Sequence, residues 1–316
     1  MNTLPFKNIK RDIISLSSGD FKSSNITIMP ELLHNSLIVI DKPAGPTSHQ
    51  VSGFVKKILH LDKAGHSGTL DPNVTGVLPV ALGIGTKIIQ ALLNAGKEYV
   101  CLMHVHDDLD ESQLKEAIMS FQGKIKQLPP VRSAVKRQER FRTIYYIDIL
   151  EIKGRDVLFK VGCQAGTYIR KLCSDIGLKL GCGAHMAELR RTEAGPFSES
   201  KAITLQDLAD AYHEYKENQN EKPLRNILIP LENCIDHLPK IWVKDSSVET
   251  LCKGAQLKMP GIVKIHSGIK RGDMVALLTM NNELLLLGES KIDTTSGKPN
   301  PKSGLAVKTI RVFKLI

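Results

Sequence analysis

The stretch GHSGTLDPNVTGVL at residues 65–78 constrains the fold more than any other part of the chain. It places one carboxylate, Asp71, among glycine, proline, serine and threonine residues, and it ends in an apolar run. Because glycine permits positive φ and proline fixes its own φ, such a run forms a tight loop of defined shape. The pattern predicts a loop that presents Asp71 to a cleft, although an Asp-Pro turn without any function has the same signature.

Two common catalytic motifs do not fit this region. A nucleophile elbow needs Gly-x-Ser-x-Gly, and Thr69 stands where the final glycine would be. The segment GIGTK at residues 83–87 lacks the Gly-Lys-Ser/Thr ending of a phosphate-binding loop. The carboxylate of Asp71 is therefore the candidate catalytic group of the loop.

Hydrophobic periodicity on both sides of the loop predicts a series of strands and helices. A buried strand is expected at residues 36–40, and a capping box at residues 47–50 opens a helix with regularly spaced apolar residues. Further strands are expected at residues 77–82, 98–105, 143–152, 156–163 and 184–192, and further helices at residues 88–93, 111–121 and 204–215 and from residue 169 onward.

The pattern changes after residue 239. Short apolar strands then alternate with glycine turns over about 75 residues, which is typical of a small β-barrel. We therefore divide the chain into an N-terminal extension at residues 1–34, a catalytic domain at residues 35–239 and a barrel-like domain at residues 240–316. The extension is expected to pack on the C-terminal domain or to be mobile.

Charge and cysteine usage narrow the class of protein. The 43 Lys and Arg against 33 Asp and Glu give a formal net charge of +10, which favours a polyanion such as nucleic acid without proving one. The six cysteines show no zinc-site spacing, so no metal is expected and the thiols suit a reducing cytosol. No signal peptide or membrane-length apolar run is recognisable, and we expect a cytoplasmic protein without a membrane partner.

Residues 129–142 carry five cations against one carboxylate, next to two prolines. Such a cluster is poorly suited to a core and well suited to the phosphate groups of a nucleic acid. A solvated loop or edge strand is the other interpretation. The cations are Arg132, Lys136, Arg137, Arg140 and Arg142.

Three blocks of the chain together resemble the signature of one enzyme family. They are DKPAGPTSH at residues 41–49, the loop at residues 65–78 and AGTYIR at residues 165–170. They resemble the pseudouridine synthase family that contains the bacterial tRNA T-loop enzyme and dyskerin, and the archaeal dyskerin-like branch is the most similar. The likeness runs from about Leu37 to the C-terminus. It implies an α+β fold: a pseudouridine synthase domain with a mixed sheet and flanking helices, followed by a small barrel-like PUA RNA-binding domain.

The resemblance implies a catalytic role for three residues. Asp71 is assigned as the nucleophile, and Arg170 as the cation that pairs with it and holds it ionised. Tyr99 would stack on the uracil or take a proton from the sugar. An ordinary strand-core tyrosine and a surface arginine are the structural alternatives for the last two.

The resemblance also implies which residues touch RNA. Leu189 would line the pocket, while Lys42 and His66 would brace the loop or contact the flipped nucleotide and its phosphate. The segment at residues 129–142 corresponds to a thumb-like loop that closes over substrate RNA. Expected RNA contacts are Arg132, Lys136, Arg137 and Arg140 in this loop and Gly254, Lys270 and Arg271 in the C-terminal domain.

We therefore interpret the chain as an RNA-guided pseudouridine synthase that needs no cofactor. The dyskerin-like branch implies a box H/ACA guide RNA, a substrate rRNA or tRNA, and three small partner proteins: one zinc-ribbon-like, one of Gly/Arg type and one that binds kink-turns. The alternatives are a stand-alone tRNA pseudouridine synthase and a non-catalytic RNA-binding scaffold. A scaffold has no need for the combination of Asp71, Tyr99 and Arg170.

Overall fold

The computed structural model describes residues 2–18, 28–128, 138–297, 299 and 304–313, and these form two sheets flanked by helices. The strands are β1 (Ile13–Ser15), β2 (Ser36–Lys42), β3 (Ala64–His66), β4 (Thr75–Leu82), β5 (Lys97–Val105), β6 (Gly123–Gln127), β7 (Arg140–Lys153), β8 (Asp156–Cys163), β9 (Ala184–Ala194), β10 (Phe197–Ser198), β11 (Ile229–Pro230), β12 (Lys240–Val243), β13 (Leu257–Lys258), β14 (Ile262–His266), β15 (Met274–Leu278), β16 (Leu284–Ser290) and β17 (Leu305–Val312). The α-helices are α1 (Met29–His34), α2 (Ser48–Ile58), α3 (Ile89–Leu93), α4 (Glu111–Met119), α5 (Ile169–Leu180), α6 (Leu205–Glu217), α7 (Lys222–Ile227) and α8 (Asp245–Cys252).

The larger sheet has ten strands and carries the Asp71 loop. Eight strands run in the order β11-β2-β4-β9-β5-β8-β7-β6, while β3 pairs with β4 and β10 pairs with β9. β4 and β9 are parallel, and the other described pairs in this sheet are antiparallel. The parallel pair lies in the middle of the sheet. Strand β4, which follows the Asp71 loop, is therefore next to β9, and β5 pairs with the other edge of β9.

Helices cover the apolar residues of this sheet in two places. The N-terminus of α2 is a capping box in which Thr47 and Gln50 each bond the backbone of the other. The buried Val51 and Val55 of α2 pack with residues of β2, β4 and α6. In the second place, α4 and α5 pack against β5 and β8, with Leu172 and Ile176 fully buried. Each helix is therefore fixed by an apolar face that its sequence spacing predicts.

The smaller sheet has seven strands in the order β1-β14-β12-β15-β16-β17-β13. Its core is apolar, and a further cluster joins it to the larger sheet, with Trp242 and Phe313 packed in the same group as Leu37 and Val77. The N-terminal segment contacts both sheets, because β1 pairs with β14 while Leu4 is buried close to Gly96. Residues 1 and 19–27 of the extension lie outside the described residues, and residues 28–34 are described and include α1.

The structure refines several expected boundaries. The helix predicted over residues 88–93 begins earlier than expected. Residues 83–88 form a 3-10 helix, and α3 continues it. The helix expected over residues 111–121 ends at Met119, and strand β6 begins at Gly123. Strand β14 and helix α8 were not predicted, and both are short and lack a long periodic pattern. No described helix is both long enough and apolar enough to cross a bilayer.

A close approach between α5 and β9 yields a test of the packing. A Cβ added to Gly177 would lie 2.0 Å from the backbone nitrogen of Ala184. We expect Gly177→Ala to lower the free energy of unfolding by about 3 kcal/mol, because backbone cannot yield as a side chain does. The matched control is Gly53→Ala in α2, where an added Cβ meets nothing within 4 Å. It should stabilise by about 0.5–1 kcal/mol, and equal effects of the two substitutions in urea unfolding would contradict this description.

A buried histidine predicts loss of stability in acid. The His237 ring donates to the Ala91 carbonyl at 3.1 Å, and burial lowers its pKa to about 4. The folded protein then binds this proton more weakly than the unfolded chain, so stability falls as pH drops from 6.5 towards 4. His237→Gln should remove roughly 3 kcal/mol of that fall, measured by unfolding at pH 4.5 and 7. The exposed His213→Gln is the control, and an unchanged pH dependence in His237→Gln would refute the assignment.

Candidate active site

The Asp71 loop, residues 67–74 between β3 and β4, is held from beneath by a buried lysine. The ammonium of Lys42 donates to the carbonyl oxygens of Pro72, Val74 and Pro43, each at 2.8 Å. Its side chain is fully buried, and burial lowers its pKa with a further contribution from Arg191. Lys42 therefore lies behind the loop and braces it, and its three donors are already engaged by backbone.

The opposite side of the loop is held by a buried arginine. Arg191 in β9 donates from Nε to the carbonyl of Val77 at 2.8 Å and from its terminal nitrogen to the carbonyl of Gly68 at 3.2 Å. Only 1% of Arg191 is exposed. Gly76 makes the approach of β4 to β9 possible, because a Cβ there would lie 2.2 Å from the Arg191 carbonyl oxygen and φ is +101°.

The start of helix α2 fixes the residue before the catalytic carboxylate. The Ser48 hydroxyl accepts from the Leu70 backbone nitrogen at 2.8 Å and lies 3.1 Å from the Leu70 carbonyl, to which it donates. The Gly45 nitrogen donates to the Pro72 carbonyl at 3.0 Å. The backbone is thus held on both sides of Asp71, which leaves the side chain to point outward with 54% of it exposed.

Asp71 and Arg170 form an ion pair at the surface of the protein. The Arg170 guanidinium donates to the Asp71 carboxylate, although the two residues are 99 positions apart in sequence. Arg170 is the second residue of α5 and is 55% exposed. The structure therefore brings together the predicted nucleophile and its predicted cation at a surface that a substrate can reach.

Tyr99 lies on the same side of the sheet as helix α5. It occupies the third position of β5, directly opposite Arg191 in β9, and its ring packs in the apolar cluster that α5 covers. Burial raises the pKa of the Tyr99 hydroxyl, and the guanidinium of Arg191 opposes that rise through charge and hydrogen bonding. The Asp71 carboxylate also raises this pKa. Tyr99 is therefore a neutral phenol within the electrostatic reach of Asp71.

The two other predicted pocket residues occupy neighbouring strands. Leu189 in β9 is opposite Cys101 in β5, on the side of the sheet that carries Tyr99, and is half-buried. His66 ends β3, and burial lowers its pKa with smaller contributions from Arg191 and His49. Its Nδ1 is buried without a hydrogen-bond partner among the described residues.

The predicted RNA contacts fall into two groups. Arg132, Lys136 and Arg137 lie outside the described residues, whereas Arg140 opens β7 opposite Gln127 of β6. The neighbouring Arg142 lies against Gly166, in the turn that precedes α5. In the C-terminal domain, the residues Gly254, Lys270 and Arg271 are exposed in turns of or beside the seven-stranded sheet.

Sequence reasoning missed two buried cations. Arg191 could have been found, since alternation along β9 puts it on the side of the half-buried Leu189, and a buried arginine needs oxygen partners. Lys97 donates to the carbonyls of Leu92, Leu93 and Ala95 at 2.7–3.1 Å. Burial, with help from Arg191, lowers its pKa to about 7. No sequence pattern indicated that Lys97 is buried, because the carbonyls that it bonds lie at the end of the short helix α3 and just after it.

Comparison with known proteins decides the family. Residues 56–169 match the N-terminal domain of TruB family pseudouridylate synthases, and residues 170–236 match the tRNA pseudouridylate synthase B C-terminal domain. Residues 239–313 match the PUA domain. A Methanopyrus kandleri protein named "Probable tRNA pseudouridine synthase B" is 56% identical over 283 residues, 90% of this chain and 83% of that protein. The chain belongs to the TruB family of pseudouridine synthases.

Two solved structures are similar to this TruB-family enzyme over almost its whole length. It resembles a chain of "Crystal Structure of a Cbf5-Nop10-Gar1 Complex" with a TM-score of 0.92 and 49% identity, covering 99% of this chain and 97% of that one. It resembles a chain of "Structure of H/ACA RNP bound to a substrate RNA containing 2'-deoxyuridine" with a TM-score of 0.91 and 46% identity, covering 99% and 97%. The predicted enzyme class, α+β fold and C-terminal PUA domain are confirmed.

The ion pair predicts a catalytic loss without a stability loss. Arg170→Gln should lower the single-turnover rate of the TruB-family enzyme about 100-fold or more, because it removes the cation that faces Asp71. Unfolding free energy should change by less than about 1 kcal/mol, since both groups are half-exposed. The matched control is Arg155→Gln, which breaks another exposed arginine pair, with Asp108. A wild-type rate in Arg170→Gln at saturating RNA would contradict the assignment.

Proposed function

We propose that this chain is the catalytic subunit of a box H/ACA ribonucleoprotein, in which a guide RNA selects the uridine to be isomerised. The observation that carries the proposal is the likeness over 99% of the chain, at a TM-score of 0.92, to a protein solved with Nop10 and Gar1. A similar likeness to a chain of an H/ACA particle bound to substrate RNA supports it. The similarity extends over both sheets, so it is not confined to a shared catalytic core.

In the proposed reaction Asp71 is the nucleophile towards the target uridine. Breaking the bond from N1 to C1′ and rejoining the base through C5 needs a carboxylate, a cation that keeps it ionised and an aromatic platform, and no redox step. Arg170 is paired with Asp71. Tyr99, which packs in the apolar cluster that α5 covers, would be the aromatic platform. Leu189 would contact the base, and His66 would accept or donate at the flipped nucleotide through its unpartnered Nδ1.

The proposed partners follow from the same likeness. The exposed turns at Gly254, Lys270 and Arg271 would contact the guide RNA, and the segment from Arg132 to Arg140 would contact the substrate, rRNA or tRNA. The particle would be completed by a zinc-ribbon-like protein, a Gly/Arg-type protein and a kink-turn binder. The net charge of +10 suits such an assembly on RNA.

A second candidate is a stand-alone tRNA pseudouridine synthase. The curated relatives favour it, because the proteins of Methanopyrus kandleri and Pyrococcus horikoshii, each 56% identical, are both named "Probable tRNA pseudouridine synthase B". The two candidates have the same proposed catalytic residues. They differ in whether the guide RNA or the enzyme itself selects the uridine.

One experiment separates the candidates. Pseudouridine is scored in a uridine-labelled target RNA and in a tRNA transcript, with and without a guide and the partner proteins, for wild type and Asp71→Asn. We expect product in the target RNA only with the guide, and none from Asp71→Asn although it still binds RNA. Product in tRNA regardless of guide would replace the proposal by the stand-alone enzyme. Absence of product from both proteins with RNA bound would leave a scaffold.

A further inference from the structure

Strand β9 contains a β-bulge just after Arg191. The neighbouring strand β5 pairs Tyr99 with Arg191 and Glu98 with Glu193, and the register shifts between these two pairs. Thr192 and Glu193 of β9 therefore oppose the single residue Glu98 of β5. Because side chains alternate along a strand, one extra residue reverses the side of the sheet on which the following side chains lie.

The side chains before and after the bulge lie on different sides of the sheet. Leu189 of β9 and Tyr99 of β5 pack in the apolar cluster that α5 covers. Alternation puts Arg191, two residues after Leu189, on that same side. Glu98 follows the opposite alternation from Tyr99, so Glu98 and the opposing Glu193 lie on the other side. Without the bulge, Arg191 and Glu193 would share one side.

The side that Arg191 faces decides whether it can hold the Asp71 loop. Its guanidinium donates to the carbonyl of Val77 at 2.8 Å and to the carbonyl of Gly68 at 3.2 Å. These two carbonyls precede and follow Asp71 in the chain. A slip of one residue at the bulge would turn the guanidinium away from both of them. The support of the loop by Arg191 therefore depends on the bulge.

A buried carboxylate holds the bulge in place. Glu98 is only 8% exposed, and its Oε1 accepts a hydrogen bond from the Thr192 hydroxyl at 2.8 Å. Its Oε2 accepts from the hydroxyl of Tyr146 in β7, and the ammonium of Lys160 in β8 lies 3.7 Å from the same oxygen. Glu98 thus connects the bulge in β9 to β7 and β8 across the sheet.

The surroundings of Glu98 are shaped for these bonds. Glu98 and Tyr146 are both opposite Gly162 of β8, where a Cβ would lie 2.3 Å from the Tyr146 ring. The absence of a side chain at Gly162 lets the ring cross β8 to reach the carboxylate. A buried carboxylate is costly, and apolar residues usually stabilise a core at least as well. A requirement for fixed strand positions accounts for its presence here.

We propose that Glu98 and Thr192 are positioning residues for the isomerisation: their hydrogen bond fixes the bulge that turns Arg191 towards the Asp71 loop. Glu98 lies on the side of the sheet away from α5 and Arg170, so it acts through the backbone of β9 and not on the substrate. The inference rests on the proposed role of Asp71 at the uridine.

The test compares two variants that each remove one hydroxyl bonded to Glu98. Thr192→Val removes the bond at the bulge, whereas Tyr146→Phe removes the bond to β7. In the complete particle at saturating RNA, Thr192→Val should lower the single-turnover rate about tenfold or more, and Tyr146→Phe less than about threefold, because only the first displaces the loop. Both should lower the urea midpoint by similar amounts. Equal losses of rate would overturn the proposal.

Conservative variants separate the bond at the bulge from other effects of substitution. Thr192→Ser keeps the hydroxyl and Glu98→Gln keeps an oxygen that can accept from it, so both should restore the rate to within about threefold of wild type. Glu98→Met should lose as much as Thr192→Val, and the double variant should lose less than about threefold more. A loss in Thr192→Ser as large as in Thr192→Val, or effects that multiply, would contradict the assignment.

A measurement without RNA keeps the inference testable if the particle makes no pseudouridine. In the full-length chain labelled with ¹⁵N-arginine, the Arg191 Nε–H signal is assigned by its loss in Arg191→Lys. This group is buried and bonded to the Val77 carbonyl, so it should exchange slowly with water in wild type and in Tyr146→Phe. Exchange should be about tenfold faster or more in Thr192→Val, or in Glu98→Met if Thr192→Val does not fold. Equally slow exchange would overturn the proposal, whatever the outcome for guide dependence.

Discussion

The active site depends on hydrogen bonds from two buried cations to backbone carbonyl oxygens. Lys42 holds the Asp71 loop through Pro72 and Val74, and Arg191 holds it through Gly68 and Val77. Carbonyl oxygens supply partial charges at fixed places, so the loop can be rigid without a carboxylate that would compete for Arg170. The exposed and otherwise weak ion pair of Asp71 and Arg170 gains its geometry from this support.

The central strands of the larger sheet bring these groups together. The parallel pairing of β4 with β9 places the end of the Asp71 loop beside Arg191, and antiparallel β5 places Tyr99 on the other side of the same arginine. Helix α5 packs across this face and contributes Arg170 at its start. This grouping of side chains therefore follows from strand order and from one close approach at Gly76.

The sequence predicted the helices and strands better than the contacts between residues that are distant in sequence. The α2 capping box, the pairing partner of Asp71 and most strands of the larger sheet follow from local patterns and signature blocks. The resemblance gave bracing the loop as one of two roles for Lys42, and alternation along β9 could have indicated that Arg191 is buried. The carbonyl partners of both cations could not be predicted, because they come from parts of the chain that are distant in sequence. The short 3-10 segment at residues 83–88 and strand β14 were missed, since neither is long enough for a periodic signal.

The most direct test of the account is a crystal structure of the complete particle bound to target RNA with 5-fluorouridine at the modified position. The account predicts a nucleotide flipped out of its helix, with its sugar or base in contact with the Asp71 carboxylate and within hydrogen-bond reach of the Tyr99 hydroxyl. The Arg191 guanidinium should keep its bonds to the loop. A target nucleotide that lies elsewhere, or that contacts neither Asp71 nor Tyr99, would contradict the central claim.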